Sequence, residues 1–281
     1  MGVVAEIEEQ LARRRFRHAA DAVPELRTST MTHVVWAPPK WLDRAKAVLA
    51  GLAERHPSRT IFLVPVGGRS SGVEADADVK DFSVSGGEVL SEVIELRLHG
   101  EAANHPASLV LPLLMADLPA FCRWRGQPDW KGQSLAEITD VVDRLVVDSS
   151  EWPGIPGAYA EIARLFDRVA VSDLAWRRTL PWRAALAARW PGIRKLDRLT
   201  VEGPEADALL LVGWLRSRLR GDVALTRRAA TSVRSVLVDG DPVQPPRAEP
   251  PSGSELLSAE LDTLARDPVF EAAVRAAAAG K

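Results

Sequence analysis

The sequence predicts an α/β fold of two domains, built on mainly parallel, Rossmann-like sheets covered by helices. Three observations carry that prediction. From Thr28 onward, strand-like apolar runs alternate with amphipathic segments of about ten to fifteen residues, the pattern of βαβ units. Within RTIFLVPV (59–66), residues 61–66 form a short apolar run, as a strand covered on both faces does. The chain has 281 residues, 46% of them apolar and 26% charged, enough to bury a substantial core as one large domain or two smaller ones.

The elements follow in order. The first twenty residues read as a helix, with Glu6, Glu8 and Glu9 early and Arg13, Arg14, Arg15 and Arg17 late, an order that suits the helix dipole; Pro24 breaks the run. A strand spans 29–37 and ends at Pro38-Pro39. The helix 40–56 places Leu42, Ala45, Val48, Leu49 and Leu52 on one face, and Pro57 stops it. After the strand 59–66, the Gly-, Ser- and acid-rich stretch 67–87 reads as a long surface excursion, and 92–100 as a strand. A helix over 101–117 carries Pro106 near its start and a kinking Pro112. Strand 118–126, helix 134–142, strand 144–150 and helix 156–169 continue the alternation. Thr179 is placed to cap a helix with Pro181 in its first turn, on which Trp182, Leu186 and Trp190 share a face. Strand 193–203, helix 205–221 and strand 231–240 come next, then a proline-rich linker over 241–254 and a helical end broken at Pro268. The expected division is an N-terminal helix at 1–26, an N-terminal α/β domain at 27–165 and a C-terminal α/β domain at 166–281.

Composition narrows the function. The net charge is −2 and the sequence pI about 6.3, so a polybasic nucleic-acid binder is not the default, although a local basic patch is still allowed. No apolar run is long enough to span a membrane, and the N-terminus has no secretory h-region, which points to a cytoplasmic protein. The single cysteine, Cys122, forbids an intrachain disulfide or a thiolate zinc site, and any redox role for it would be intermolecular. The five histidines all precede residue 106 and form no ligand-spaced cluster, so no metal is expected.

Several motifs carry possible chemistry. Gly68-Arg-Ser70-Ser-Gly72 matches G-x-S-x-G, but a nucleophile elbow needs a buried helix after the serine, and VEADADVK lacks helical period. The same loop could cradle phosphate, although no P-loop or dinucleotide fingerprint is present. Asp76-Ala-Asp78 resembles the D-x-D that holds a metal–nucleotide, beside the plainer reading of a solvated acidic loop. Asp148 and Asp173 each follow an apolar strand and are candidates for acid–base work or for helix capping. An enzyme on a nucleotide-binding scaffold, with nucleotide-sugar or phosphate chemistry, is therefore one function class.

The other class is a binding protein. Nine tryptophans stand against a single tyrosine, and six of the nine fall between Trp124 and Trp190. Within Asp173–Arg183, two tryptophans and three arginines crowd eleven residues. Trp and Arg dominate binding hot spots, and guanidinium stacks on indole. A core helix with buried indoles and snorkelling arginines is the equal alternative.

That segment also carries a resemblance. DLAWRRTLPWRAALAA (173–188) is similar to the Asp-Leu-x-Trp-x-Arg-Leu-x-Pro-Trp-Arg signature of the glucose-6-phosphate dehydrogenase assembly proteins, the OpcA family. RTSTMTHVVWA, HPSRTIFLVPV, HPASLVLPLLMADLPAFCRWRGQP and DALLLVGWLRSRLRG resemble other family segments in the same order, from about residue 27 to the last helix. The resemblance implies a non-catalytic accessory protein that promotes assembly or allosteric activation of glucose-6-phosphate dehydrogenase, the NADP-linked entry enzyme of the oxidative pentose phosphate pathway. It implies a protein partner, no cofactor, no catalytic residue to carry over, and neither nucleic acid nor membrane. Trp176, Arg177, Trp182 and Arg183 are then the expected partner-contacting or contact-supporting residues.

Overall fold

The computed structural model describes residues 2–21, 29–53, 55–68, 70–84, 87–244 and 251–279. The elements are α1 (Val3–Asp21), β1 (Met31–Trp36), α2 (Pro39–Ala53), β2 (Ser58–Val66), β3 (Gly72–Val84), β4 (Gly87–His99), α3 (Ala107–Val110), β5 (Ala120–Trp124), α4 (Gln133–Val141) and β6 (Arg144–Val147). They continue with α5 (Ile155–Ala163), β7 (Ala170–Asp173), α6 (Leu174–Arg178), α7 (Leu180–Ala187), β8 (Arg198–Gly203), α8 (Glu205–Leu219), β9 (Ala224–Ala229), β10 (Ser235–Val238), β11 (Asp241–Pro242), α9 (Gly253–Leu261) and α10 (Pro268–Ala279). The α/β class and the mainly parallel large sheet agree with the sequence reading. Two compact units emerge: Met1–Val147 with Gly253–Leu264, and Asp148–Ser252 with Ala265–Lys281.

In the first unit the strands run in the order β3-β4-β2-β1-β5-β6. All neighbours are parallel except β3 and β4, which form an antiparallel pair in register from Gly72↔His99 to Val84↔Gly87. Strand β3 replaces the surface excursion expected at 67–87. Val73, Ala75, Ala77 and Val79 alternate with Glu74, Asp76, Asp78 and Lys80, which is strand period 2, and the small alanines disguise it. Helix α1 packs on β3 and buries Ile7 and Leu11 completely. The helix expected at 101–117 is divided into a 3₁₀ turn (Gly100–Asn104), the short α3 and a second 3₁₀ turn (Leu111–Leu113), as its prolines dictate. Helix α9 returns from far down the chain to pack on α2, where Ser258 Oγ lies 2.8 Å from His56 Nε2 and the buried Arg144–Glu260 pair closes at 3.3 Å.

The second unit contains β7, α5–α8, α10 and a four-stranded sheet in the order β11-β10-β8-β9. Strands β8 and β9 are parallel; β10 is antiparallel to both β8 and β11. Asp239 and Gly240, both at positive φ, make the tight turn between β10 and β11. One face of this sheet supplies Leu199, Val201, Val236 and Val238 to a core shared with Trp182, Leu186, Leu211 and Leu215. Helix α8 is pressed against α10 at Gly213, where an added Cβ would stand 2.3 Å from the Ala273 carbonyl oxygen. Helix α7 ends at Ala187, so the face expected to unite Trp182, Leu186 and Trp190 is broken: the first two are buried and Trp190 is exposed. The helical end divides at Pro268 as expected, with α9 in the first unit and α10 in the second.

Candidate functional site

The Trp- and Arg-rich segment lies in the second unit and is organised by Asp173. Its carboxylate Oδ1 ends β7, accepts the Ala175 N–H at 2.8 Å to cap α6, and accepts the Ser149 N–H at 3.0 Å. Thr179 stands between α6 and α7, but its hydroxyl donates backward to the Trp176 carbonyl at 2.8 Å, so it closes α6 and makes no side-chain cap for α7. Arg183 folds over the same turn. Its Cζ lies 3.4 Å from the Trp176 ring centroid, and its nitrogens donate to the Trp176 carbonyl at 3.2 Å and to Thr179 Oγ1 at 3.1 Å. The Trp176 indole N–H donates to Asp267 Oδ2 at 2.9 Å, while Asp267 Oδ1 caps α10 through the N–H groups of Val269 and Phe270.

Trp176 is 4% exposed and Trp182 6%. The indoles therefore belong to the core, whereas Arg177 and Arg183 are half-buried at its margin.

Beside this lies a buried charge network that the sequence reading found only in part. Arg178 grips Asp148 with two nitrogens, at 3.0 and 2.9 Å, and reaches Asp207 Oδ1 at 3.4 Å. Tyr159 OH shares a 3.0 Å hydrogen bond with Ser149 Oγ. Among the described residues, Asp173 Oδ2 and Asp207 Oδ2 are buried with no hydrogen-bond partner. Burial, reinforced by the charge of Asp148, lifts Asp173 to about 7. Burial lifts Asp207 to about 6 against the opposing pull of Arg178. Tyr159 is pushed well up by burial and by the neighbouring carboxylates. Burial pulls Arg178 down, but its Asp148 hydrogen bonds and the surrounding carboxylates outweigh that and hold its charge. Asp148 and Asp173 both work as caps, since Asp148 Oδ1 accepts the Ser150 N–H at 3.1 Å. Arg178 was visible in the Trp- and Arg-rich segment, but its pairings with Asp148 and Asp207 were not, because those partners lie 30 and 29 residues away. A faint signal exists in the near-repeat of DRLVVDSSEW and DRVAVSDLAW, each a strand followed by an Asp-capped turn.

The other candidates are also placed. The G-x-S-x-G stretch leads into strand β3 and not into a helix, so the nucleophile elbow is absent. Asp76 and Asp78 face Arg14 of α1, which pairs with both. In the first unit, the carboxyl ends of β1 and β5 mark the point where strand order reverses, where doubly wound sheets bind nucleotides. Here Trp36 and Trp124 stack on each other at 4.5 Å, both buried, and the turn after β1 is Ala-Pro-Pro where a glycine-rich loop would be needed. Cys122 is buried beside them on β5, and burial pushes its thiol up to about 12. Among the described residues, no group of three His, Cys, Asp or Glu side chains could hold a metal ion, and no helix is long and apolar enough to cross a membrane.

Fold and site together define a two-unit α/β protein whose concentrated polar side chains cap helices and lock one another in place. Comparison with known proteins narrows this further. Residues 49–164 match the family model for the glucose-6-phosphate dehydrogenase subunit N-terminal domain, and residues 169–247 match that for the C-terminal domain. The chain belongs to the OpcA family of glucose-6-phosphate dehydrogenase assembly proteins. It is 29% identical over 181 residues to a protein of Nostoc punctiforme, provisionally named OxPP cycle protein OpcA; this covers 60% of the chain and 39% of the relative. It is 26% identical over 191 residues to the protein of the same name from Synechococcus elongatus, covering 63% and 43%. The chain thus matches about two fifths of the length of these relatives.

Proposed function

We propose that this chain is a non-catalytic accessory protein that binds glucose-6-phosphate dehydrogenase in the cytoplasm and favours its assembled, active form. The observation that carries the reading is the pair of family matches, which run in series across both halves of the chain. The geometry supports it. The carboxylates that would serve an acid–base mechanism are engaged as caps or in the Arg178 network, and stacked indoles occupy the sheet position a nucleotide would need. An activator of this kind must bind the active state of its partner more tightly than the inactive one, because equal affinity shifts nothing. Within this reading Trp176, Arg177, Trp182 and Arg183 support the contact: the indoles set the segment's shape from the core, and the guanidiniums stand at its margin.

The test mixes purified chain with the dehydrogenase of the same organism and follows co-elution and NADPH production. Co-elution with a raised rate, and no turnover by the chain alone, is expected. Separate elution with an unchanged rate contradicts the reading.

A further inference from the structure

The net charge of −2 conceals a strong asymmetry. Residues 174–234 contain thirteen Lys and Arg against five Asp and Glu. Much of this excess surrounds the four-stranded sheet of the second unit. On β8, Leu199 and Val201 turn inward to the α8 core, while Arg198, Thr200 and Glu202 lie on the opposite face. Register places Thr226 and Arg228 of β9 beside Thr200 and Glu202 on that face, with Leu237 of β10 on their other flank. The helical core of this unit packs on the inner face, and on the other face Arg198, Thr226 and Arg228 are exposed.

Among the described residues, the cations there lack carboxylate partners, and Arg227 donates only to the Gly203 carbonyl, at 3.2 Å. Arg198, Arg218, Arg220, Arg227, Arg228 and Arg234 are all exposed, and among the described residues none has a carboxylate within salt-bridge distance. Several arginines elsewhere do meet a carboxylate, among them Arg14, Arg15, Arg59, Arg144 and Arg178. In addition, β9 is the last strand of its sheet, and five of its six residues are exposed, so one edge of its backbone has no strand partner. Charged residues commonly guard such edges, and Arg227 and Arg228 serve that purpose. Arg198, Arg218, Arg220 and Arg234 lie off the β9 edge and are not explained by guarding.

We propose that this face and the β9 edge form the surface that receives the partner dehydrogenase, through an acidic, extended segment laid along β9. The proposal rests on the accessory reading above. Charge complementarity argues for an acidic occupant, and the open strand edge supplies the backbone groups that an added strand uses. A protein fits better than a nucleic acid. Among the described residues, none of these six arginines lies over an aromatic ring that could stack a base, and the rest of the chain carries excess negative charge that repels a polyanion.

The full chain, its R228E/R234E variant and the neutral R228Q/R234Q variant are compared for affinity to the dehydrogenase at low and high salt. K131E, which reverses an exposed charge in the first unit, is the control. All should keep the wild-type circular dichroism spectrum. We expect R228E/R234E to bind about tenfold or more weakly, the neutral variant to fall between, K131E to match wild type, and wild-type affinity to drop as salt rises. If wild type binds and both double variants bind equally well, this surface is overturned while the accessory role stands. If wild type does not bind the dehydrogenase at all, both fall. Tighter binding to a duplex oligonucleotide than to the dehydrogenase also overturns the proposal.

Discussion

The guanidinium carbon of Arg183 lies 3.4 Å from the centre of the Trp176 indole, and the same side chain donates to the Trp176 carbonyl. One arginine thereby holds the ring and the backbone of the residue seven positions before it. The clasp accounts for one tryptophan and one arginine of this crowded segment; Trp182 packs against the four-stranded sheet and Arg178 joins the Asp148 network. The indole N–H is spent on Asp267, which in turn starts α10, so the segment also anchors the last helix.

Trp176→Ala therefore costs stability. Removing a buried indole is expected to lower unfolding free energy by about 3–5 kcal/mol, and Arg183→Lys by about 1 kcal/mol through the lost stack. Urea unfolding checks both. A Trp176→Ala protein as stable as wild type would make that ring a surface group.

The carboxyl of Asp173 gives stability a pH signature. Its folded value of about 7 lies above its ordinary 3.8, so folding favours the protonated form. That contribution is complete below 3.8 and is lost as pH rises to about 7; Asp207, at about 6, acts in the same direction. Asp173→Asn keeps an oxygen for the Ser149 and Ala175 N–H groups and cannot ionise. Relative to this variant, wild type should lose up to about 1.4 kcal/mol per pH unit within that window. Paired denaturation curves at several pH values measure the difference, and a flat difference contradicts the assignment.

Cys122 should be inert in the native protein. Its thiol, raised to about 12 from 9.0 and fully buried, should react with a thiol reagent about a thousandfold more slowly than the unfolded chain, or slower. One equivalent should react once the chain is unfolded. Rapid native labelling would reopen a redox role.

The first unit needs its distant C-terminal segment. Glu260→Ala leaves buried Arg144 without that partner and should cost about 3–5 kcal/mol. Ending the chain before α9 should be worse, since Ser258 and the contacts with α2 go as well. Thermal melting of both variants tests this, and unchanged melting would exclude α9 from the core of that unit.

How much of this was legible in the sequence depended on where the physical signal lay. β2 declared itself through the apolar run 61–66 of a strand buried on both faces, and α2 because one of its faces is buried. β3 was hidden because alanine, not valine, fills much of its inward face, leaving the acidic outward face to dominate the reading. β9 was missed because an exposed edge strand has no buried side to impose alternation. In the site, Asp173 could be read as a strand-end cap, a local property. Arg178 with Asp207, and Trp176 with Asp267, pair across 29 and 91 residues, and no spacing rule reaches that far. The arginines of this unit were visible as residues, but their lack of carboxylate partners became visible only in three dimensions.

The central claim is that this chain acts by binding a dehydrogenase and turns over no substrate. Sedimentation of the dehydrogenase titrated with the chain, with its rate recorded on the same samples, tests this most directly. We predict a defined complex whose formation and rate increase saturate at the same ratio. A dehydrogenase whose mass and rate ignore the chain, beside turnover of a nucleotide or sugar phosphate by the chain alone, would contradict it.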